Sequence, residues 1–367
     1  MDQFFLKSTD RAYRRLLCQL VCVCVLLGAA VAGERTKQSP PELVPQDILM
    51  DGGRKLIFER AFSDEREVKS KRGFWTKVVD IVAGEPDYRF MERPYGIAVD
   101  SHGRVIVTDP GAEGIHIFDF VQQKYRFLQR RDKSNDSMLA PQCVAVDAQD
   151  NIYVTDSESG KIFVFGANGK FLRAVGSLPG GEGYFKRPTG IAVDSDARRI
   201  YVTDTLRNKI FMLDMEGTVL KMIGENGTKD GQFNFPTDLL LDEDGLSVVD
   251  SMNFRVQSLN RQGDFQSAMG NPGEEPGMLF RPKGIARDSE GHLYVVDALQ
   301  STVQVFDSDG QLLYLFGGQG TNLGEFRLPA GLFIDHSDHV YVVDSYNRRV
   351  QQFHYVALPK QVEGGVK

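Results

Sequence analysis

The chain has 367 residues, 41% hydrophobic and 25% charged, with 43 Lys and Arg against 50 Asp and Glu for a formal charge of −7. This is the composition of a globular protein with a large core, not of a disordered, fibrous or disulfide-stapled chain. The acidic balance argues against a nucleic-acid partner, which needs a dense basic face to displace phosphate counterions.

In chain order, the first element is "RAYRRLLCQLVCVCVLLGAAVAGE", where Arg11, Arg14 and Arg15 precede an apolar run ending at Ala30-Val31-Ala32. A basic stretch, an apolar stretch and a small-x-small site form the pattern of a secretory signal peptide over 1–32. The expectation is export, periplasmic or extracellular, with cleavage after Ala32. The alternative is an uncleaved anchor, because the apolar run 16–32 approaches the lower limit for spanning a bilayer. Membrane contact is expected only through this segment. Cleavage would remove four basic and two acidic residues, leaving a charge of −9, and would leave Cys143 alone of the four cysteines. No internal disulfide is then possible.

Residues 33–50, with three prolines and little pattern, read as a linker. Within 51–92, "RKLIFERAF" (54–62) reads as a strand, and Phe74, Val78 and Val82, with Trp75 and Val79 beside them, predict a short helix over 73–83.

From 93 to 358 one unit recurs six times, from "RPYGIAVDSHGRVIVTD" (93–109) to "LPAGLFIDHSDHVYVVD" (328–344). Its prolines are Pro94, Pro141, Pro188, Pro236, Pro282 and Pro329, at steps of 47, 47, 48, 46 and 47 residues. A period so regular marks an array of one supersecondary unit. Each unit holds four short β-branched and aromatic runs, such as "TGIAVD", "RRIYVTD", "NKIFMLD" and "TVLKMIG" in the third. Several are joined by Asp-x-x-Gly, a type I turn signal, as in Asp100…Gly103 and Asp288…Gly291. Four antiparallel strands per unit predict an all-β, six-bladed β-propeller. The last unit has no room for a fourth strand after "VQQFHYV" (350–356), so an N-terminal strand must close the ring. We expect 54–62 in that place, with "KVVDIVAG" (77–84) as the alternative. Residues 359–367 read as a tail.

Pro-x-Gly-Ile-Ala-Val-Asp, then Ile-Tyr-Val-Thr-Asp, then Asn-x-Arg resembles the NHL repeat, most fully in "RPTGIAVD…IYVTD", "VVDSMNFRV" (248–256) and "VVDSYNRRV" (342–350). The resemblance implies that ligands or partners meet the face carrying the loops between second and third strands and between blades. NHL-type and related propellers include interaction platforms, RNA-binding modules, lactonase-like hydrolases and amidating lyases, so the fold leaves function open.

The six aspartates ending the second strands, Asp109, Asp156, Asp204, Asp250, Asp297 and Asp344, suggest a carboxylate ring. One per blade at one position is better read as a repeated structural bond, to N–H groups of the following loop and to Lys161, Lys209, Arg255 or Arg349 five residues on. Departures from the repeat are more informative. Where four blades have Gly96, Gly190, Gly284 and Gly331, two have Cys143 and Asp238, at the channel mouth. Arg287 replaces the usual Val, between blades or at the channel, with a carboxylate partner expected. None of the six histidines maps to the loop face; His336 and His339 fall in a hairpin of the opposite face and read as a solvated turn, and His354 lies near the end of a third strand. The Gly-rich stretches 176–185 and 316–326 lack the Lys-Ser/Thr and helix of a phosphate loop. No cofactor is expected.

The leading expectation is a non-catalytic platform for a protein or an extracellular polymer. It would use the loops 132–140, 177–187, 225–235, 271–281 and 318–328 with Asn208, Asn253, Arg255, Tyr346, Asn347 and Arg348. The alternative is a divalent-cation-dependent lactonase-like hydrolase or lyase, with Asp238 as its one nameable ligand.

Overall fold

The computed structural model describes residues 45–357, apart from 46, 51–52, 69–87, 133–136 and 180–182. The expected signal segment, the helix over 73–83, the alternative closing strand 77–84 and the tail 359–367 lie outside the described residues.

Six sheets form the structure. Blade one runs through Ile97–Val99, Val105–Asp109, Gly114–Asp119 and Lys124–Leu128, and blades two to five repeat that antiparallel order. In blade six, Leu332–Ile334, His339–Asp344 and Arg349–Val356 are joined by Lys55–Phe62, which pairs antiparallel with the third strand from Lys55 opposite Val356 to Phe62 opposite Val350. The ring is thus a six-bladed β-propeller closed by the N-terminal strand, as the missing fourth strand required. Ile48–Leu49, within the stretch read as linker, adds a short fifth strand at the outer edge. Innermost strands of successive blades touch all the way round, the sixth against the first.

Burial explains the strand compositions. Second strands such as Val105–Asp109, Ile152–Asp156 and Leu293–Asp297 are buried along their whole length, packed between neighbouring sheets, and so read as apolar runs. Fourth strands such as Val219–Ile223 lie at the rim and are partly exposed. The Asp-x-x-Gly hairpins form as expected: Asp100 Oδ1 accepts the N–H groups of His102 and Arg104, both at 3.0 Å. Gly103 there takes φ +74°, where a Cβ would be strained although nothing stands near it.

Three residues before each repeat proline the chain places a buried anchor: Met91, Met138, Phe185, Phe233, Leu279 and Phe326. Each enters a core cluster shared with the preceding blade, as Phe233 does with Tyr201 of blade three and Val248 of blade four, and Phe326 with Val296 of blade five and Phe353 of blade six. The closing strand belongs to two such clusters at once. Leu56 packs with blades five and six, while Phe62 lies 5.0 Å from the Phe118 ring of blade one, centroid to centroid.

This dual packing makes the N-terminal strand part of the core. A chain beginning at Val44 is expected to keep the cooperative calorimetric transition of the full chain. One beginning at Ser63 is expected to lose it and to elute as oligomers through the bared edge of blade six.

Candidate functional site

All six second-strand aspartates are fully buried, and each carboxylate accepts backbone N–H groups from the segment entering its own blade. Asp109 takes those of Glu92 and Arg93 at 2.6 and 3.0 Å, Asp156 those of Leu139 and Ala140 at 2.7 Å each, and Asp204 those of Lys186 and Arg187 at 2.9 and 3.0 Å. Asp250, Asp297 and Asp344 do the same to Asn234, Arg281 and Arg327. The structural bond is therefore directed mainly at the preceding inter-blade segment and not, as expected, at the following loop, which adds donors in some blades only, such as Gly111 and Ala112 on Asp109. Burial works against the charge on Asp109, yet hydrogen bonds from His116 and the two backbone N–H groups hold its carboxyl below the usual range.

Several residues expected on a binding surface are spent within this scaffold. Arg255 Nε pairs with Asp250 Oδ2 at 2.9 Å, and its Nη2 donates to the carbonyls of Lys229 and Gln232. Asn253 bonds Asp250 and the Gly227 carbonyl, and Asn347 likewise bonds Asp344 and the Gly320 carbonyl. Asn208, in left-handed backbone at φ +55°, accepts the Phe235 N–H at 2.8 Å. Arg348 is also left-handed, at φ +57°, and its side chain is exposed beside Tyr346, which is 54% exposed. Arg287 sits between blades four and five at the hairpin end, where its Nε reaches Asp242 Oδ2 at 2.8 Å.

The central channel is a cavity of about 390 Å³ lined by the innermost strands. Its repeated glycines mark where neighbouring strands approach: a Cβ on Gly96 would lie 2.4 Å from the Gln142 oxygen, and one on Gly331 2.4 Å from the Tyr95 oxygen. Cys143 and Asp238, the two departures, meet. The thiol of blade two donates to Asp238 Oδ1 of blade four across 3.7 Å, and Gly190 of the intervening blade has no side chain to separate them. Burial pushes the Asp238 carboxyl up to about 7, against the hydrogen bond from the Leu239 N–H and the nearby Lys283 charge. Burial, reinforced by Asp238, pushes the Cys143 thiol well above its ordinary value. Such a thiol is a donor, not a nucleophile. Asp238 is the one carboxylate among the described residues lining this channel.

Above the channel, on the loop face, a second cavity of about 470 Å³ is lined by Arg93, Arg187, Arg281, Lys283, Tyr95, Gln142 and Tyr346 among others. The three arginines occupy the same repeat position, just before the proline, in blades one, three and five; the even blades have Ala140, Phe235 and Leu328 there. Lys283 Nζ donates to the Tyr95 hydroxyl at 3.2 Å. No carboxylate lines this cavity among the described residues, in a chain of net charge −7. The alternation is written in the sequence, one residue before the repeat proline, and marks this cavity as the glycine-position departures do not.

Among the described residues, the hairpin face gathers two groups of possible metal ligands. Around His102, Asp100 and Asp150 are already committed: Asp150 accepts from the Ser101 N–H and hydroxyl, and Asp100 from His102, Arg104 and the Arg104 guanidinium. Around His339, which begins a strand instead of sitting loosely in a turn, Glu59 and His354 converge.

The channel pair has a pH signature. A carboxyl raised from 3.8 to about 7 takes up a proton on folding, so its contribution to stability falls as pH rises from about 4 to 7 and is flat above. Asp238→Asn is expected to gain on the parent by about 4 kcal/mol across that range in urea denaturation at stepped pH. Cys143 is expected to react with iodoacetamide only after unfolding.

Comparison with known proteins agrees with this architecture. A family model (DUF5128) described as a 6-bladed beta-propeller matches residues 133–225 and 284–357, short of half the chain. No curated protein matches the sequence. Among solved structures, a virginiamycin B lyase from Staphylococcus aureus, catalytically inactive and holding quinupristin, is 18% identical over 74% of this chain and 85% of its own, with TM-score 0.53. A protein of unknown function from Bacteroides thetaiotaomicron is 14% identical over 86% and 84%, with TM-score 0.56. An auxiliary nutrient binding protein from Bacteroides ovatus is 16% identical over 73% and 70%, with TM-score 0.55. At such identities the likeness concerns fold alone, and on that ground the chain is a six-bladed β-propeller.

Proposed function

We propose that this is an exported NHL-type propeller whose loop face binds an acidic partner, a protein segment or an extracellular polymer, without catalysis of its own. The observation that carries the reading is the ring-mouth cavity with Arg93, Arg187, Arg281 and Lys283 and no carboxylate lining it among the described residues. Three guanidiniums spaced two blades apart suit a ligand with several anionic groups, because each fork can engage a carboxylate or sulfate bidentately. Tyr95 and Tyr346 supply the aromatic surface common at interface anchors. The lactonase-like alternative needs about six oxygen ligands for a hard cation, and the channel offers Asp238, with Lys283 close by.

Poly-glutamate and dextran sulfate serve as test ligands in a fluorescence titration at low and physiological salt. Saturable binding that Arg93→Glu, Arg187→Glu and Arg281→Glu together weaken at least about tenfold is expected, at roughly 0.5–1 kcal/mol per exposed contact. Binding that the triple variant leaves unchanged sinks the reading. Export rests on the segment 1–32: N-terminal sequencing of protein secreted by an expression host is expected to begin at Gly33, and an intact N-terminus in the membrane fraction would favour the anchor instead.

A further inference from the structure

We propose that Glu59, His339 and His354 bind one divalent transition-metal ion, which ties the ring-closing strand to blade six. The three residues come from three adjacent strands: Glu59 from Lys55–Phe62, His354 from Arg349–Val356 and His339 from His339–Asp344. His339 and His354 are direct cross-strand partners, their ring centroids 4.8 Å apart. Glu59 is the extra residue of a β-bulge, since Phe58 pairs with Phe353 and Arg60 with Gln352. A bulge re-aims a side chain, and here it turns Glu59 toward the two histidines.

The donor atoms converge without bonding one another. His339 Nε2 lies 3.8 Å from Glu59 Oε2, and His354 Nδ1 lies 3.8 Å from Glu59 Oε1. Both separations are too long for hydrogen bonds. A tetrahedral ion with bonds of about 2.0–2.1 Å holds its donors about 3.4 Å apart, which small side-chain rotations reach. Two imidazoles and one carboxylate make a set suited to zinc, with a fourth position left for water.

The supporting shell is already in place. Asp335 accepts from His339 Nδ1 at 3.0 Å, and from the Tyr341 hydroxyl at 3.3 Å. A carboxylate only accepts, so Nδ1 carries the proton and the Nε2 lone pair faces Glu59 and His354. This carboxylate–histidine arrangement is the one that orients metal-binding imidazoles. Glu59 Oε2 is fixed in turn by Gln352 Nε2 at 2.6 Å, and Arg60 is held on the other end of that amide, Nε to Oε1 at 2.8 Å. The three ligands are half-exposed, so an ion has an entry path. The assignment is independent of the loop-face reading, because the cluster lies at the hairpin end.

The test is calorimetric titration of the chelator-treated chain with zinc chloride near pH 7, with a thermal melt alongside. One zinc per chain and a rise in Tm with zinc concentration are expected, since the ion binds only the closed ring. His354→Ala and Glu59→Gln are each expected to weaken zinc binding at least tenfold, and Asp335→Asn by about 10- to 100-fold. His336→Ala and His102→Ala are expected to leave it unchanged. Cobalt(II) titration of the parent chain, read by its visible absorption, supplies a measurement that depends on no variant folding; a four-coordinate spectrum is expected. The proposal is overturned by no saturable zinc binding up to 100-fold molar excess, by binding that survives Glu59→Gln with His354→Ala, or by binding lost only in His102→Ala.

Discussion

The buried carboxylate at the end of each second strand is the interaction on which the ring depends. An antiparallel sheet orders its own strands, but nothing in sheet pairing says where the chain must enter the next blade. The aspartate does this, capturing one or two N–H groups of the incoming segment that the sheet leaves unpaired. Its desolvation is offset only because those donors, with Arg255 or Arg349 in blades four and six, saturate its oxygens. Once the entry point is set, the apolar anchor three residues before the proline falls between its blade and the one before, and the residue just before the proline is displayed at the mouth.

That geometry accounts for what evolution can vary without loss of fold. The residue before the proline contributes its N–H to the clamp in blades one, two, three and five while its side chain is free to differ. Arginine, alanine, phenylalanine and leucine all occur there. The glycine position on the innermost strand is more restricted, because a Cβ meets the next blade's backbone. It is relaxed only where Cys143 and Asp238 satisfy each other.

Much of this was legible in the sequence because the repeat is an averaging device. Six copies at one period distinguish the residues that every blade needs from those that one blade has, and the fold, the closing strand 54–62 and the structural part played by the aspartates follow from that contrast. The channel location of Cys143 and Asp238 was legible on the same ground, but their meeting was not, since two positions 95 residues apart are brought together only by the curvature of the ring. The cluster at Glu59 was hidden for a further reason: a strand bulge carries no mark in the residue types, and Glu59 lies outside the repeat altogether. Asn253, Arg255 and Asn347 looked like surface residues because their spacing from the aspartate reads equally as loop display and as a network folded back upon it.

The closing strand also orders events in time. Glu59 and Gln352 are hydrogen-bonded although 293 residues separate them. During synthesis the closing strand therefore leaves the ribosome long before its partner and waits for it. Blades one to five can form progressively from local hairpins, each burying its sheet on the one before, whereas the sixth cannot close until Arg349–Val356 has been made. Bringing such distant ends together costs about 5 kcal/mol of chain entropy in a flexible polymer, a cost the preformed arc of five blades largely removes. Ring closure is then a late docking step, with the N-terminal strand the most exposed part of the nascent chain and the last to be protected.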